Sequence, residues 1–380
     1  VKSMYNIAIV PYRTLGFAVK YGFTVRDLMI LRALESSENV VSVDWFERPT
    51  YPFERAARRG QKLLLSDKIT VHRSTTINPF PVIRDKRLWT IGALKGQERK
   101  LDVWASKSSH TKVILDFHPF YIPPVEIIDR EDVFYWYDLI DNFTKHNVFT
   151  GKQIEAVKRK YAWVKESAAF VTGVSQAALV DFPRSEAVPN RLLLSSRDQD
   201  KARVIGMADY DFGFTGFITD KFDVDFIARL SDLGYSTLIR GRAYHPEIAR
   251  RLSKLNRVTV GGEYHESEQT AIFSRFRVGL VPYRPEKSHD ESPIKLIQYL
   301  ANGKPALISK AFGGIEDEFS RWVKVYDGMS DDELHSCVSL LKVESGGAAL
   351  LDVVNSSKSV YWNSALSGLI ARACSSSGGS

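Results

Sequence analysis

Cysteine is scarce: the 380 residues hold two, Cys337 and Cys374, too few for a disulfide framework or a cysteine-rich metal site. That fits a reducing compartment, with both thiols structural. Long apolar runs are missing as well. No stretch approaches the roughly 18–20 residues of a membrane span and no signal-peptide pattern precedes the first apolar run, so a cytoplasmic location is the expectation. The dinucleotide fingerprint G-x-G-x-x-G is also absent, because Gly16 and Gly22 are spaced too widely after the first apolar run. This argues against a nicotinamide dehydrogenase. Repeats of about 20–50 residues are not visible, and low-complexity sequence is confined to the Ser375–Ser380 tail.

What is there describes a folded, two-core protein. Hydrophobic residues make up 44% and charged residues 26%, the balance of a globular chain. Single cores rarely grow past about 250–300 residues, so this length predicts two domains. The net charge of +7 is concentrated: residues 51–100 carry twelve Lys and Arg against four Asp and Glu, a local excess of eight. Leu63, Leu64, Leu65, Phe80, Leu88 and Trp89 interleave with those cations, which favours peripheral contact with an anionic bilayer over nucleic acid. A merely solvated basic face is the alternative.

Taken in order, apolar runs alternate with helical patterns. Tyr5–Val10 reads as a first strand, followed by a loop with Gly16 and Gly22, a helix from Thr24 to Leu34, and a second strand at Val40–Trp45. Further strands are expected at Asp102–Ala105, Thr111–Asp116, Val133–Tyr137 and Ala169–Val174, with a basic amphipathic helix over Gln153–Glu166. After a polar connector, Ser195–Asp200, the alternation restarts. It predicts a strand at Ala202–Gly206, a glycine-bearing turn at Phe212–Gly216, and strands at Ser236–Arg240, Val258–Val260 and Val278–Val281. Helices are expected at Asp223–Leu233, His245–Lys254, Glu266–Phe276 and Lys358–Ala373. The pattern is that of an α/β protein with two Rossmann-like doubly wound domains facing a cleft. The boundaries drawn are 1–195, 196–355 and a C-terminal segment, 356–380, whose helix crosses back to the first domain. Ligands of open α/β sheets sit beyond the carboxyl ends of the strands, which makes Asp116, His118, Asp138 and Asp141 candidates for chemistry. Each could equally be a cap or a loop residue.

The stretch from Asp290 to Ile308 reads as loop, helix, tight turn and strand. Pro293 suits a first helical turn, with Asp290, Glu291 and Ser292 as available caps. Gly303 and Pro305 end the helix. Lys295 would add a formal positive charge to the free N–H groups of that turn, making an anion site; an ordinary surface helix is the alternative.

These residues resemble the two-Rossmann-domain (GT-B) glycosyltransferases that use nucleotide sugars. The helix stretch is similar to their donor-site helix, and Val258–Tyr264 with Phe276–Tyr283 resembles the segment lining their nucleobase pocket. Within the fold the likeness is to bacterial exopolysaccharide enzymes of the xanthan glucuronosyltransferase type and related teichuronic-acid and capsule enzymes. It is specific from about 204 to 310 and weak over the first domain, where it covers Leu139–Phe143 and the Val174-Ser175 strand end. The resemblance implies that Lys295 contacts the donor diphosphate and that Gln298 lies near nucleoside or sugar. It implies Glu263, Tyr264 and Tyr283 beside the base, and Gly216, Thr215, Arg240, Pro293 and Ile294 around the same donor. The larger retaining family carries Glu-x7-Glu where this chain has Asp290 and Gln298, a departure that favours inversion.

Inversion needs one base to take the acceptor's proton. Asp141 is the first choice, because Leu139–Phe143 resembles the family's base-bearing loop; Asp138, Asp116 and His118 follow. No Asp-x-Asp pair adjoins the donor stretch, so no metal or other cofactor is implied. The expected partners are a nucleotide sugar, UDP-linked, and a glycan or lipid-linked acceptor of surface polysaccharide synthesis. A nucleotide-sugar epimerase on this fold, or a non-catalytic sugar- or nucleotide-binding partner protein, are the alternatives.

Overall fold

A computed structural model describes residues 3–56, 63–77, 91–107, 110–146, 149–193, 208–288, 292–312 and 317–375. The chain divides into two compact units, one made of Val1–Val188 with Trp362–Ser380 and the other of Pro189–Tyr361. The expected strand at Ala202–Gly206, the cap candidates Asp290 and Glu291, and much of the basic 51–100 stretch lie outside the described residues.

In the first unit the strands are β1 (Tyr5–Val10), β2 (Val40–Phe46), β3 (Ile69–His72), β4 (Thr111–Asp116), β5 (Val133–Leu139), β6 (Phe170–Gly173) and β7 (Ser185–Ala187). They form one sheet in the order β3-β2-β1-β4-β5-β6-β7, every pair parallel. All six residues of β1 are buried. A parallel sheet covered on both faces needs such continuous apolar strands, whose β-branched and aromatic side chains pack on either side.

The second unit repeats the plan with β8 (Tyr210–Thr215), β9 (Thr237–Arg240), β10 (Val258–Gly261), β11 (Phe276–Val281), β12 (Ala306–Ile308) and β13 (Val323–Val325). Their order is β10-β9-β8-β11-β12-β13, again all parallel. Both sheets therefore start in the middle, build one way and then reverse. The reversal lies between β1 and β4 in the first and between β8 and β11 in the second. Such a break opens a crevice at the carboxyl ends of the two strands that flank it.

Local chemistry sets the helices. The Gly151–Ser167 helix starts at a capping box in which Thr150 Oγ1 accepts from the Gln153 amide and Gln153 Oε1 accepts from the Thr150 amide. The Ile294–Ala301 helix buries Leu296, Ile297, Tyr299 and Leu300, each worth about 1.5–3 kcal/mol against exposure.

Several expectations need correction. The run Asp102–Ala105 is not a strand but the end of a helix, Glu98–Ala105, that buries Leu101, Trp104 and Ala105 at helical spacing. Its short apolar run fits either period, and the length of the surrounding pattern decides. Phe212–Gly216 is not a turn either: Phe212–Thr215 belongs to β8, and its glycine, Gly213, is where the Phe276 ring lies flat on the strand, within 2.0 Å of a would-be Cβ. Gly16 sits inside a helix, Leu15–Tyr21, that Gly22 ends. The expected Glu266–Phe276 helix is a short 3₁₀ turn followed by Gln269–Ser274, and Phe276 already begins β11.

The Trp362–Ser375 helix belongs to the first unit and packs against the Arg26–Glu35 helix. Arg26 ties that unit's two chain junctions together. Its guanidinium makes two 2.7 Å bonds to the Asp138 carboxylate, donates to the Val188 carbonyl at 2.7 Å, and lies 4.7 Å from the Trp362 ring centroid.

Candidate nucleotide site at the carboxyl ends of the second sheet

Three neighbouring strands of the second unit end in glycine: Gly216 after β8, Gly241 after β9, and Gly261-Gly262 at β10. Their backbones continue the ladder, with the Gly216 amide donating to the Arg240 carbonyl at 3.0 Å and the Gly241 amide to the Gly262 carbonyl at 3.1 Å. Gly241 has φ 146°, and a Cβ there would lie 1.8 Å from the Gly216 oxygen. Only glycine lets the two loops approach this closely. The result is a ledge of main chain without side chains, which suits a large polar ligand.

Lys295 lies over this ledge. It sits in the first turn of the Ile294–Ala301 helix, and a Cβ on Gly216 would be 3.2 Å from its Cε and 3.6 Å from its Nζ. The ammonium donates to the Tyr283 hydroxyl and stands 4.7 Å from the centroid of that ring and 5.3 Å from that of Phe214. Tyr283 follows β11 and Phe214 lies in β8, so the lysine stands at the break in strand order. Thr215 is locked below it. Its amide donates to the Tyr299 hydroxyl at 3.0 Å, one helical turn beyond Lys295. Burial raises the Tyr299 phenol well above its ordinary value, so it stays protonated.

The other expected donor residues surround the same edge. The Arg240 stem lies across Gly261, and its Nε donates to the Gly262 carbonyl at 3.3 Å, while its Nη2 is 3.7 Å from Glu268. Glu263 is exposed, 3.5 Å from the Arg242 guanidinium. Tyr264 is half-buried, its phenol raised by burial against the pull of a hydrogen bond to Thr215 and the Arg240 charge. Gln298 is buried one turn after Lys295. Thr215, Gly216, Arg240, Tyr264, Tyr283 and Lys295 are thus brought together. Two details depart from expectation. Pro293 is the residue before the helix rather than its first turn, and Ser292 does not cap it: its Oγ accepts from the Asn190 amide at 3.0 Å. Gly241 and Tyr299 were not among the expected site residues, although glycine directly after an apolar strand is a readable sign of close backbone approach.

In the first unit the four acid–base candidates fare differently. Asp116 is completely buried, accepting from Lys160 Nζ at 2.7 Å and the Tyr135 hydroxyl at 2.8 Å. Burial pushes its pKa up while the ammonium opposes. His118 is buried with Nδ1 accepting from the Phe120 and Tyr121 amides at 3.2 and 3.0 Å. Burial, with the Lys160 and Arg48 charges, lowers its pKa to about 3. Asp138 is sealed between Arg26 and Thr172, whose Oγ1 donates at 2.6 Å. These three have commitments inside the fold and no exposed surface to offer a substrate. Asp141 is half-buried in the turn after β5, which Asn142 braces by accepting from the Thr144 amide at 3.2 Å. Its charge adds to burial in raising the Tyr161 phenol.

Among the described residues no group of three or more His, Cys, Asp and Glu is placed to hold a metal, and no helix is long and apolar enough to cross a membrane.

No protein-family model and no curated protein matches the sequence. Solved structures do match in fold. AviGT4, a glycosyltransferase involved in avilamycin A biosynthesis, is 13% identical over 99% of this chain and 99% of its own, with a TM-score of 0.59. The UDP-forming α,α-trehalose-phosphate synthase of Burkholderia vietnamiensis is 12% identical over 98% of this chain and 97% of its own, with a TM-score of 0.52. TarM is 10% identical over 69% of this chain at a TM-score of 0.50, and this chain spans 54% of that longer one. Two Rossmann-like sheets, each with its first described strand in the middle, give this chain the GT-B fold that such glycosyltransferases have.

Proposed function

We propose that the chain is a glycosyltransferase that moves a sugar from a UDP-linked donor to a glycan or lipid-linked acceptor. The observation that carries this is Lys295, its ammonium over the glycine ledge at the break in strand order of the second sheet. A leaving diphosphate gathers negative charge as the bond to the anomeric carbon lengthens, and a fixed cation with backbone N–H groups stabilises that charge more than it stabilises the bound ground state. The fold shared with a UDP-forming synthase supports the same reading. For the base, Arg240 and Tyr264 offer a planar cation and a half-buried ring.

The reaction we assign is inversion. The acceptor oxygen attacks the anomeric carbon, the electron pair of the old bond leaves with the diphosphate, and Asp141 takes the acceptor proton. Asp141 is favoured because it alone of the four acid–base candidates is not enclosed. The role in surface polysaccharide synthesis and the contact of the basic 51–100 stretch with an anionic membrane belong to the same proposal.

The test is a screen of nucleotides and nucleotide sugars by thermal shift, followed by turnover with the donor that binds best. UDP and UDP-sugars should raise the melting temperature and UDP should be released in the presence of acceptor. Asp141→Asn should lower transfer by about 10²–10⁴ while nucleotide affinity is kept. Protection by no nucleotide would overturn the donor site; donor rearranged without any acceptor would indicate an epimerase; an active Asp141→Asn would place the base elsewhere.

A further inference from the structure

A second recess lies on the flank of the first sheet, over β1, β2 and β3. A sheet face covered by a helix is normally apolar, yet here Asn6 of β1, Ser42 and Asp44 of β2 and His72 of β3 form a polar row. The parallel register puts Asn6 beside Ser42 and His72 beside Phe46, with Asp44 between them along β2. The row is internally bonded: Ser42 Oγ donates to Asn6 Oδ1 at 2.9 Å, His72 Nε2 and Asp44 Oδ1 are 2.7 Å apart, and the His72 ring stacks on Phe46 with centroids 4.3 Å apart.

Facing this row is the Glu98–Ala105 helix, which contributes Arg99, Lys100, Val103 and Trp104, with Lys107 just beyond its end. Between helix and sheet is a pocket of about 550 Å³ lined by these nine residues. That volume falls within the range of about 300–1,000 Å³ usual for small-molecule sites. Its charge is one-sided. Three cations meet one carboxylate, and that carboxylate is already bonded to His72. Among the described residues Arg99 and Lys107 make no ion pair and Lys100 is bonded only to the Arg73 carbonyl, at 3.1 Å.

We propose that this pocket is a ligand site for a phosphomonoester carried on a hydroxyl-rich body, a sugar phosphate or a polyol phosphate. The two chemistries sort themselves by position. A phosphate placed on the floor would meet Asp44 and be repelled, so it belongs at the rim, where a dianion satisfies Arg99, Lys100 and Lys107. The floor offers a carboxylate, an amide and a hydroxyl, which is the set that binds sugar hydroxyls, with Val103 and Trp104 as the apolar wall. This site does not depend on the donor site of the second unit or on the reaction assigned to it.

The same head group can come free in solution or on an inositol lipid, and titration calorimetry separates the sources. The soluble arm uses glucose 1-phosphate, glucose 6-phosphate and inositol 1-phosphate; the lipid arm uses phosphatidylcholine vesicles with and without phosphatidylinositol 4-phosphate. At least one phosphorylated polyol should bind, and Arg99→Ala with Lys107→Ala should weaken it by about tenfold or more, as loss of charge-assisted bonds does. Asp44→Asn should weaken the sugar phosphate and leave inorganic phosphate unchanged. Binding in the vesicle arm alone assigns the ligand to the lipid, and binding in the soluble arm assigns it to a metabolite. Inorganic phosphate binding as tightly as every sugar phosphate, binding indifferent to the Arg99/Lys107 pair, or no binding in either arm overturns the proposal. Both cations lie on the surface, so the variants are expected to fold, and unchanged melting temperatures check it.

Discussion

At the break in the first sheet, Lys160 is completely buried, bonded to Asp116, to the Tyr135 hydroxyl and to the Tyr121 carbonyl, with the Trp163 ring centroid 4.9 Å away. At the break in the second sheet, Lys295 is half-buried, over bare backbone, with an aromatic hydroxyl as its bonded neighbour. One strand order thus carries two opposite uses of a lysine. In the first unit the crevice is filled by side chains whose charges cancel within the fold. In the second, among the described residues, glycines line the strand ends below the lysine. The difference teaches where to look for a ligand: charge sealed and compensated in a core organises the fold, and a half-buried cation over bare backbone stands where an anion can reach it.

The widest split between the two should come from Lys160→Met. Removing one partner of a buried pair leaves Asp116 enclosed without compensation, which typically costs 3–5 kcal/mol. Adding Asp116→Asn should recover much of it, because the uncompensated charge is gone. Urea unfolding of the two variants reads both effects. A single-variant loss under about 1 kcal/mol would mean that water reaches Asp116 and that the first crevice is not sealed.

Gly241→Ala tests the second crevice from the side of the backbone. Gly241 holds φ 146°, and a Cβ would sit 1.8 Å from the Gly216 oxygen. Strain of this kind costs roughly 1–3 kcal/mol, and the displaced Gly216 carbonyl should lower UDP affinity along with the melting temperature. An unaltered UDP affinity would remove the ledge from the donor site.

The sealed crevice also predicts a pH dependence. Burial holds His118 neutral, lowering its pKa from 6.5 to about 3. The unfolded chain takes up the proton first as pH falls, so the stability contributed by the neutral ring is complete above pH 6.5 and is lost between there and about pH 3. The slope is up to about 1.4 kcal/mol per pH unit. His118→Asn removes it, and the difference between wild type and variant in urea midpoints on either side of that pKa isolates the imidazole from the neighbouring Asp116 and Lys160. Parallel pH profiles would show that the ring is solvated.

How far the sequence could be read follows from the same contrast. Two doubly wound sheets were legible, since buried parallel strands are the most apolar runs in the chain and glycine and proline punctuate them. Lys295 was legible as a cation in the first turn of a helix, while Tyr283 and Thr215 entered through the resemblance to GT-B donor sites. The three enclosed first-unit candidates could not be distinguished from catalytic ones. Asp116 and Asp138 stand at strand ends too, and what commits them is Lys160, 44 positions later, and Arg26, 112 positions earlier. No local pattern carries such pairings. Nor do four residues separate a helix from a strand at Asp102–Ala105, where both periods fit and the longer run from Glu98 decides.

The finest form of the comparison is the counterpart of the first variant. Lys295→Ala removes a lysine beside the break of the second sheet, as Lys160→Met does at the first, but from a half-buried site where it donates to the neutral Tyr283 hydroxyl. Surface changes of this kind usually move stability by less than about 0.5 kcal/mol. Nucleotide binding should respond instead, by the roughly 1.5–3 kcal/mol of a charge-assisted bond, on the order of 10- to 100-fold in affinity. Thermal unfolding with and without UDP measures both at once: the free variant should melt with the wild type, and the protection by UDP should shrink. A variant that loses stability without losing UDP protection would make Lys295 a second core lysine, and the two crevices would then be alike after all.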